Sequence, residues 1–457
     1  TLRQHSDRPR RIRYLNGTGS ALGSRRRPAR ARLRPAILQG SLTGRIQLLS
    51  AKENDTLTKV GPDSDCGKWL RSFWFPIAIS DRWDGLTAQL QLDEPFTYRD
   101  SAGTATSFGE QSGTFRGEPL PVRILGEDLI LYRDLSSTLG LVDTQCPHRS
   151  SSLEYGRPRK KGLACPYHGW TFDEHGTCLA MPGEPADSTF RKKVTIKSYP
   201  VREQGGLIWT FMGHGEAPAL PQIDVIAATG GVRITENFCL WPANWLQIVE
   251  NSVDQVHTGI LHGEGSARAD LWSQIPEVDW HEDDFGIQTV QIRGDYGRTN
   301  YLRLPTTILL NQPWPGGGYD WPRYSAIFRT PVDDNHTMLF HVTHVPEVDG
   351  NMPELPEGME FPAASLVQTL FEQDYRAIVT QGRPVDRTIE RLGVTDRGII
   401  MLRRMVMEGI KAVSRGEEPK GVLSSNCGEG LIISSDKVTD ALMTPQAAEL
   451  RSNHGPT

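Results

Sequence analysis

Cys146-Pro-His148 and, after sixteen intervening residues, Cys165-Pro-Tyr-His168 form two short loops, each offering one thiolate and one imidazole. Two cysteines for one iron and two histidines for the other make the ligand set of a Rieske [2Fe–2S] centre, which transfers single electrons at a higher potential than an all-cysteine cluster. Structural zinc is the competing use of such a quartet. Zinc fingers, however, pair like with like, as C-x₂₋₄-C and H-x₃₋₅-H, whereas here each loop mixes the two ligand types. Pro147 and Pro166 stiffen the loops, and Gly169 permits a tight turn after the second histidine. Cys178, ten residues past His168, lies outside both loops and reads as structural.

A second group of chemistry-bearing residues is Glu250-Asn-Ser-Val-Asp254-Gln-Val-His257-Thr-Gly-Ile-Leu-His262. Apolar residues at Leu246, Val249, Val253, Val256 and Ile260 predict one amphipathic helix over Asn244–Leu261. Asp254 and His257 then share a face, but His257 and His262 are about 140° apart on an ideal helix. Both reach one ion only if the helix distorts or ends between them; Gly259 gives the chain that freedom and Gly263 marks the end. Two neutral imidazoles and one carboxylate leave positions open for O₂ and substrate, the facial triad of non-haem Fe(II) oxygenases. The carboxylate must come from elsewhere. The zinc-hydrolase motif H-E-x-x-H is absent. Two histidines on a helix are by themselves more often structural, and the cluster motif upstream reverses that balance.

These residues need elements to position them. PVRILGEDLILYRD, from Pro121, reads as two strands about a Gly-Glu-Asp turn, and GLVDTQ runs straight into Cys146. Val194–Tyr199 and Gly206–Phe211 close a small β domain. Upstream, a short helix runs from Leu49 to Gly61-Pro62, Trp69–Ile79 has strand composition, and Asp84–Gly117 reads as an insertion. Gly213–Pro221 is the natural linker. Beyond it, four strand-like runs lie around Gly286–Arg293, Tyr301–Leu310, Tyr324–Thr330 and Thr337–Val345, followed by helices over Pro362–Thr380 and Gly398–Val413. The expected fold class is α+β. An all-β [2Fe–2S] domain over 49–215 precedes a catalytic domain over 216–430, with antiparallel sheet wrapped around helices. Residues 1–48 and 431–457 read as an extension and a tail.

A chain of 457 residues exceeds one typical core, and 37% hydrophobic with 23% charged residues suits a soluble globular protein. The longest apolar stretch, GGLIWTFMG, is a buried strand, far short of a membrane span. Six cysteines are too few and scattered for a disulfide framework, so a reducing cytoplasm is expected and the Asn-x-Thr triplets at Asn16, Asn54 and Asn335 are chance. Residues 1–48 hold twelve arginines, no lysine and one acid, a net charge of +11 that leaves −16 for the rest. That composition fits a transit peptide or a basic arm, but with Tyr14 its one aromatic residue it gives no stacking platform for nucleic acid. It reads as a disordered extension outside the working protein.

With these residues in view, the chain resembles the oxygenase (α) component of the Rieske non-haem iron aromatic-ring-hydroxylating oxygenases, over roughly Leu49–Val422. It is most similar to the phthalate dioxygenase and phenoxybenzoate dioxygenase group, with the vanillate O-demethylase type more distant. The segments carrying the resemblance are LTKVGPDSDCG, CPHRSSSLEYGR, CPYHGW, NWLQIVENSVDQVHTGILH, PVDDNHT and VTDRGIIMLRRM. The resemblance implies a helix-grip catalytic domain whose mononuclear Fe(II) is held by His257, His262 and a C-terminal acid. Gln373-Asp374, followed by Gln381, matches that acid's context and selects Asp374; Asp386 and Asp396 are alternatives that read as a cap or a surface charge. It also implies that Asp254 bridges a cluster histidine of one subunit to an iron-ligating histidine of the next, within a ring-shaped homotrimer. Electrons then come from a separate flavin- or ferredoxin-type reductase, so NAD(P)H serves only indirectly. No G-x-G-x-x-G dinucleotide fingerprint is present. The implied reaction is O₂-dependent hydroxylation of an aromatic, carboxylated or ether-linked, in aromatic-compound catabolism. An O- or N-demethylating monooxygenase would use the same ligands. A Rieske electron carrier without catalysis would have no use for Asp254, His257, His262 and Asp374. Arg293 and Arg303, on strands facing the presumed pocket, could pair with a substrate carboxylate, or could be ordinary solvated or salt-bridged strand residues.

Overall fold

The computed structural model describes residues 49–80, 82, 86–87, 96–99, 105–108, 115, 117–228, 230–263, 273–294, 296–311, 324–347, 372–423 and 432–433. The arginine-rich start, most of the 84–117 insertion, the first part of the Pro362–Thr380 helix and most of the tail lie outside those residues. Ser50 accepts the Glu53 N–H while the Glu53 carboxylate takes the Ser50 N–H at 2.8 Å, a reciprocal cap that starts the Ala51–Thr58 helix. A second helix, Asp65–Leu70, capped by Ser64, takes Trp69 and Leu70 out of the expected strand, which begins at Trp74. Trp69 is buried among Phe73 and Trp245, so its aromatic character reflects core packing, not strand propensity.

Besides the antiparallel pair Phe96–Arg99 and Ala105–Phe108, the described residues of the N-terminal half form three small antiparallel sheets. One runs, edge to edge, Ser198–Tyr199, Leu139–Asp143, Glu127–Arg133, Leu120–Ile124; its first hairpin turns at Leu125-Gly126, both at positive φ (49° and 77°). The turn therefore precedes the Gly-Glu-Asp position, because the tight two-residue hairpin needs left-handed backbone at both central residues and Gly126 supplies the second without strain. Another sheet, Cys178–Ala180, Thr171–Phe172, Leu163–Ala164 and Arg157–Pro158, carries the second ligand loop. The third joins Trp74–Ile79, Leu207–Phe211 and Val201–Gln204.

The C-terminal half centres on an eight-stranded sheet in the order Glu277–Glu282, Gly286–Arg293, Tyr296–Arg303, Thr307–Asn311, Tyr324–Asp333, His336–Val345, Val232–Trp241, Leu86–Thr87. The expected Tyr301–Leu310 strand is in fact two strands reversing at Leu304–Thr306; apolar residues continue through the corner and hide it from a period-2 reading. Val232–Trp241 and Glu277–Glu282 were not anticipated. Directly paired residues of an antiparallel sheet share a face. On one face Leu309, Phe328 and Phe340 pack with Trp74, Trp209 and Phe211 of the N-terminal half. On the other, Ile287 and Leu302 meet Leu246, Val249, Leu402 and Val406, and Leu339 meets Tyr375, Ile378 and Val379. The sheet is thus a middle layer, with β structure on one side and the helices Trp245–Glu250, 372–379 and Arg397–Ser414 on the other. Each fully buried large apolar side chain in these layers contributes roughly 1.5–3 kcal/mol. The Gly213–Pro221 segment is pinned where Trp74 Nε1 donates to the Pro218 carbonyl at 2.9 Å, and Gln222–Ile223 pairs in parallel with Ile432–Ile433, so these two residues of the tail are strand.

Candidate metal centres

Cys146 and Cys165 sit on loops of matching design. The Cys146 N–H donates to the Ser151 carbonyl at 2.9 Å and its carbonyl accepts from Ser150; the Cys165 N–H donates to the Trp170 carbonyl at 2.8 Å and its carbonyl accepts from Gly169. Ser150 and Gly169 adopt positive φ (57° and 75°) to close these turns. The loops bring the two thiols against one another in an apolar pocket with Ile130, Leu153, Phe172 and Met181, where burial pushes the Cys146 thiol up to about 11. A thiol raised in this way becomes a thiolate most readily beside a strong cation, which a bound iron would be. His148 and His168 stand on the exposed side, ring centroids 4.5 Å apart, with His148 stacked on Trp170 at 4.6 Å. Desolvation, with His148 and Arg149 alongside, holds His168 below the usual histidine value. No three of these four donors close to within 4.8 Å, the condition a single zinc would need. A spread pair of pairs fits two irons. Cys178 is buried in the same cluster without joining either loop.

The expected Asn244–Leu261 helix is broken. It runs from Trp245 to Glu250, capped by the Asn244 side chain on Leu246 N–H, and resumes only as His257–Ile260. The interruption has clear partners: Trp280 Nε1 donates to the Val253 carbonyl at 2.8 Å, and Asp254 Oδ1 accepts the Val256 and His257 N–H groups at 3.0 and 3.3 Å, starting a new turn. Gly259 and Gly263 serve close approach and not left-handed backbone, since a Cβ at Gly259 would lie 2.8 Å from the Gln274 carbonyl and one at Gly263 only 2.3 Å from the Gly259 carbonyl.

That break brings His257 and His262 to Asp374 on the 372–379 helix. Their ligand atoms all lie within 4.8 Å of one another, the one such His/Cys/Asp/Glu trio among the described residues. His262 Nδ1 hydrogen-bonds Gln373 Oε1 at 2.8 Å, which leaves Nε2, 3.1 Å from Asp374 Oδ1, as the lone-pair donor. His257 Nε2 lies 3.6 Å from the same oxygen, and its Nδ1 faces Asp254 Oδ2 at 3.6 Å. Asn251 Nδ2 donates to Asp374 Oδ1 at 3.3 Å and lies 3.2 Å from His257 Nε2. Burial works against charge on both Asp254 and His262. Even so, His257 and the backbone amides hold Asp254 below its usual range, while Asp374 and Gln373 raise His262 above its own. Two imidazoles, that of His262 with its outer nitrogen on Gln373, and one carboxylate fit a mononuclear iron with open positions.

The other acids lie elsewhere. Glu250 is buried between Arg387 and Arg403 at 2.8 and 2.6 Å, and although burial opposes it these guanidinium groups keep it ionised; Arg403 also meets Glu390. Asp386 binds Thr388, and Asp396 accepts the Gly393 N–H at 2.6 Å ahead of the last helix. Arg303 pairs with Asp283 at 2.5 Å and lies over the Tyr301 ring. Arg293 is buried and held by the Gln274 carbonyl, Gln291 and Thr258. Asn251 and Trp280 were not anticipated: Asn251 is six residues from His257, off any helical repeat, and Trp280 is distant in sequence.

Residues 108–200, which include all four cluster candidates, match the family model of the Rieske [2Fe-2S] domain. The chain is similar to the 5,5'-dehydrodivanillate O-demethylase oxygenase subunit of Sphingobium sp. strain SYK-6, at 32% identity over 88% of this chain and 90% of that protein. It is also similar to the phthalate 4,5-dioxygenase oxygenase subunit of Pseudomonas putida, at 27% identity over 85% of this chain and 93% of the relative. Among solved structures, NdmA of Pseudomonas putida CBB5 shares the fold with a TM-score of 0.57 at 20% identity, covering 77% of this chain and 94% of that one. The chain belongs to the Rieske aromatic-ring-hydroxylating oxygenase group, as an oxygenase component.

Proposed function

We propose that this chain is the terminal oxygenase of a multicomponent system, oxidising an aromatic substrate with O₂ and electrons from a separate flavin- or ferredoxin-type reductase. The observation that carries the reading is the convergence of His257, His262 and Asp374 within 4.8 Å in a chain that also bears the paired Cys/His loops. When bound, mononuclear Fe(II) supplies O₂ activation and the [2Fe–2S] cluster supplies electrons singly. Cys146 and Cys165 hold one cluster iron from the buried side, and His148 and His168 hold the other where a partner can approach. Gln373 and Asp254 orient His262 and His257 through their outer nitrogens. In a ring-shaped homotrimer, Asp254 would link His257 to His168 of the partner subunit, a contact that the exposure of His168 and the partial exposure of Asp254 permit. The cytoplasm suits the thiol form of the buried Cys66 and Cys178. No helix among the described residues is long and apolar enough to cross a membrane.

Demethylation of an aryl ether is the second reading, favoured by the 32% identity to the dehydrodivanillate O-demethylase subunit. Turnover of an aromatic panel under ¹⁸O₂ with a surrogate reductase separates the two. Two labels in a cis-dihydrodiol mean ring dioxygenation, whereas released formaldehyde means demethylation. Reductant consumption with no oxygenated product across the panel would defeat both.

A further inference from the structure

An unbroken helix pairs each carbonyl with the amide four residues on, so the Val253 carbonyl would take the His257 N–H. Here that one bond is divided between two side chains. Trp280 Nε1 donates to the Val253 carbonyl at 2.8 Å, and Asp254 Oδ1 accepts the His257 N–H at 3.3 Å. Val253 is fully buried, so the loss of the indole would leave a carbonyl unsatisfied, and the nearest remedy is the helical bond itself. Closing that bond would carry the chain on as the single helix that its apolar spacing favours, with His257 turned away from His262.

The indole has a fixed seat. Val278, Trp280 and Glu282 alternate onto one face of the Glu277–Glu282 strand. Val278 and Trp280 share a core with Leu402, Met405 and Val406 of the Arg397–Ser414 helix, while Glu282 pairs with Arg404 and, at 2.6 Å, with Lys420. Trp280 lies against Gly398 of the same helix, where any Cβ would run into the indole nitrogen. The far side of the His257–Ile260 turn is held separately: Arg293 donates to Thr258 Oγ1 and, at 3.1 Å, to the Gln274 carbonyl against which Gly259 packs. With the exit of the turn pinned to the sheet, the placing of Asp254 and His257 is decided at its entry.

We propose that Trp280 is a positioning residue of the mononuclear site, and that Trp280 and Asp254 act as the two halves of one divided hydrogen bond. The indole keeps the Val253 carbonyl occupied, the carboxylate keeps the His257 amide occupied, and removal of either lets the helix close and withdraws His257 from Asp374. This rests on the oxygenase reading and extends its iron site to the Glu277–Glu282 strand and to Gly398.

The test is the rate at which a ferrous chelator removes mononuclear iron from the holoenzyme, with the visible cluster spectrum followed in parallel. Trp280→Phe keeps the ring and loses the donor; Asp254→Ala loses the cap. Each should speed release about 10- to 100-fold with the cluster spectrum unchanged, and the double variant should be no faster than the faster single. Residues that serve the fold independently would instead multiply their effects. Gly398→Ala, which displaces the indole without removing it, gives the same reading should Trp280→Phe fail to fold. Native release rates in Trp280→Phe, or effects that multiply in the double variant, overturn the proposal and leave the oxygenase reading standing. A native chain with no iron beyond the cluster overturns both.

Discussion

The two proposed ligand sets are built in opposite ways. The Cys/His loops lie within 23 residues of one β unit, and four short backbone hydrogen bonds shape both turns before any distant contact is made. The His/His/Asp trio depends on distant parts of the chain: 123 residues separate Asn251 from Asp374, and the helix preceding His257 has to break against Trp280 to aim the imidazoles. Glu250, next to Asn251, is fixed by Arg387 and Arg403 from 137 and 153 residues away. A site made by local backbone survives changes elsewhere in the core, whereas a site made by tertiary packing does not.

The largest effect should come from the local site itself. Cys146→Ser is expected to abolish the visible cluster spectrum and activity together; a normal spectrum in that variant would remove Cys146 from the ligand set. Next is the support of the distant site. Glu250→Gln leaves the fully buried Arg387 without its carboxylate and should cost about 3–5 kcal/mol in urea unfolding, with mononuclear iron lost before the cluster. Unchanged stability would mean that this network does not hold the broken helix.

Asp254→Asn keeps the shape but removes the charge behind His257, and turnover should fall about 10- to 100-fold with cluster and iron retained. Near-normal turnover would exclude Asp254 from electron transfer. The smallest effect is on iron loading with pH. In iron-free protein Asp374 raises His262 above its unfolded value. The protonated pair therefore stabilises the fold fully below the ordinary histidine value, and that contribution fades as pH rises through the raised one. Iron requires the deprotonated ring, so its affinity should run the other way, weakening as pH falls through the raised value. Fe(II) titrations of stripped protein between pH 6 and 8 check this, and a flat profile would count against the His262–Asp374 contact.

The same contrast explains what was legible in the sequence. The cluster loops could be read from spacing alone, because their geometry is encoded in adjacent residues. Asp374 could be selected only by family resemblance, since nothing in its local pattern separates it from Asp386 or Asp396. Asn251 gives no signal, because it reaches Asp374 and His257 only through a broken helix. The Leu304–Thr306 corner and the Trp69 helix were misread because apolar periodicity reports burial and does not by itself distinguish the elements that are buried.

Metal content of the purified protein beside His262→Ala tests most directly the claim that one chain carries two separate metal sites. The native chain should hold about three irons and two acid-labile sulfides, and His262→Ala about two irons and two sulfides with an unchanged cluster spectrum and no turnover. Two irons in the native chain, or loss of sulfide together with iron in the variant, would contradict it.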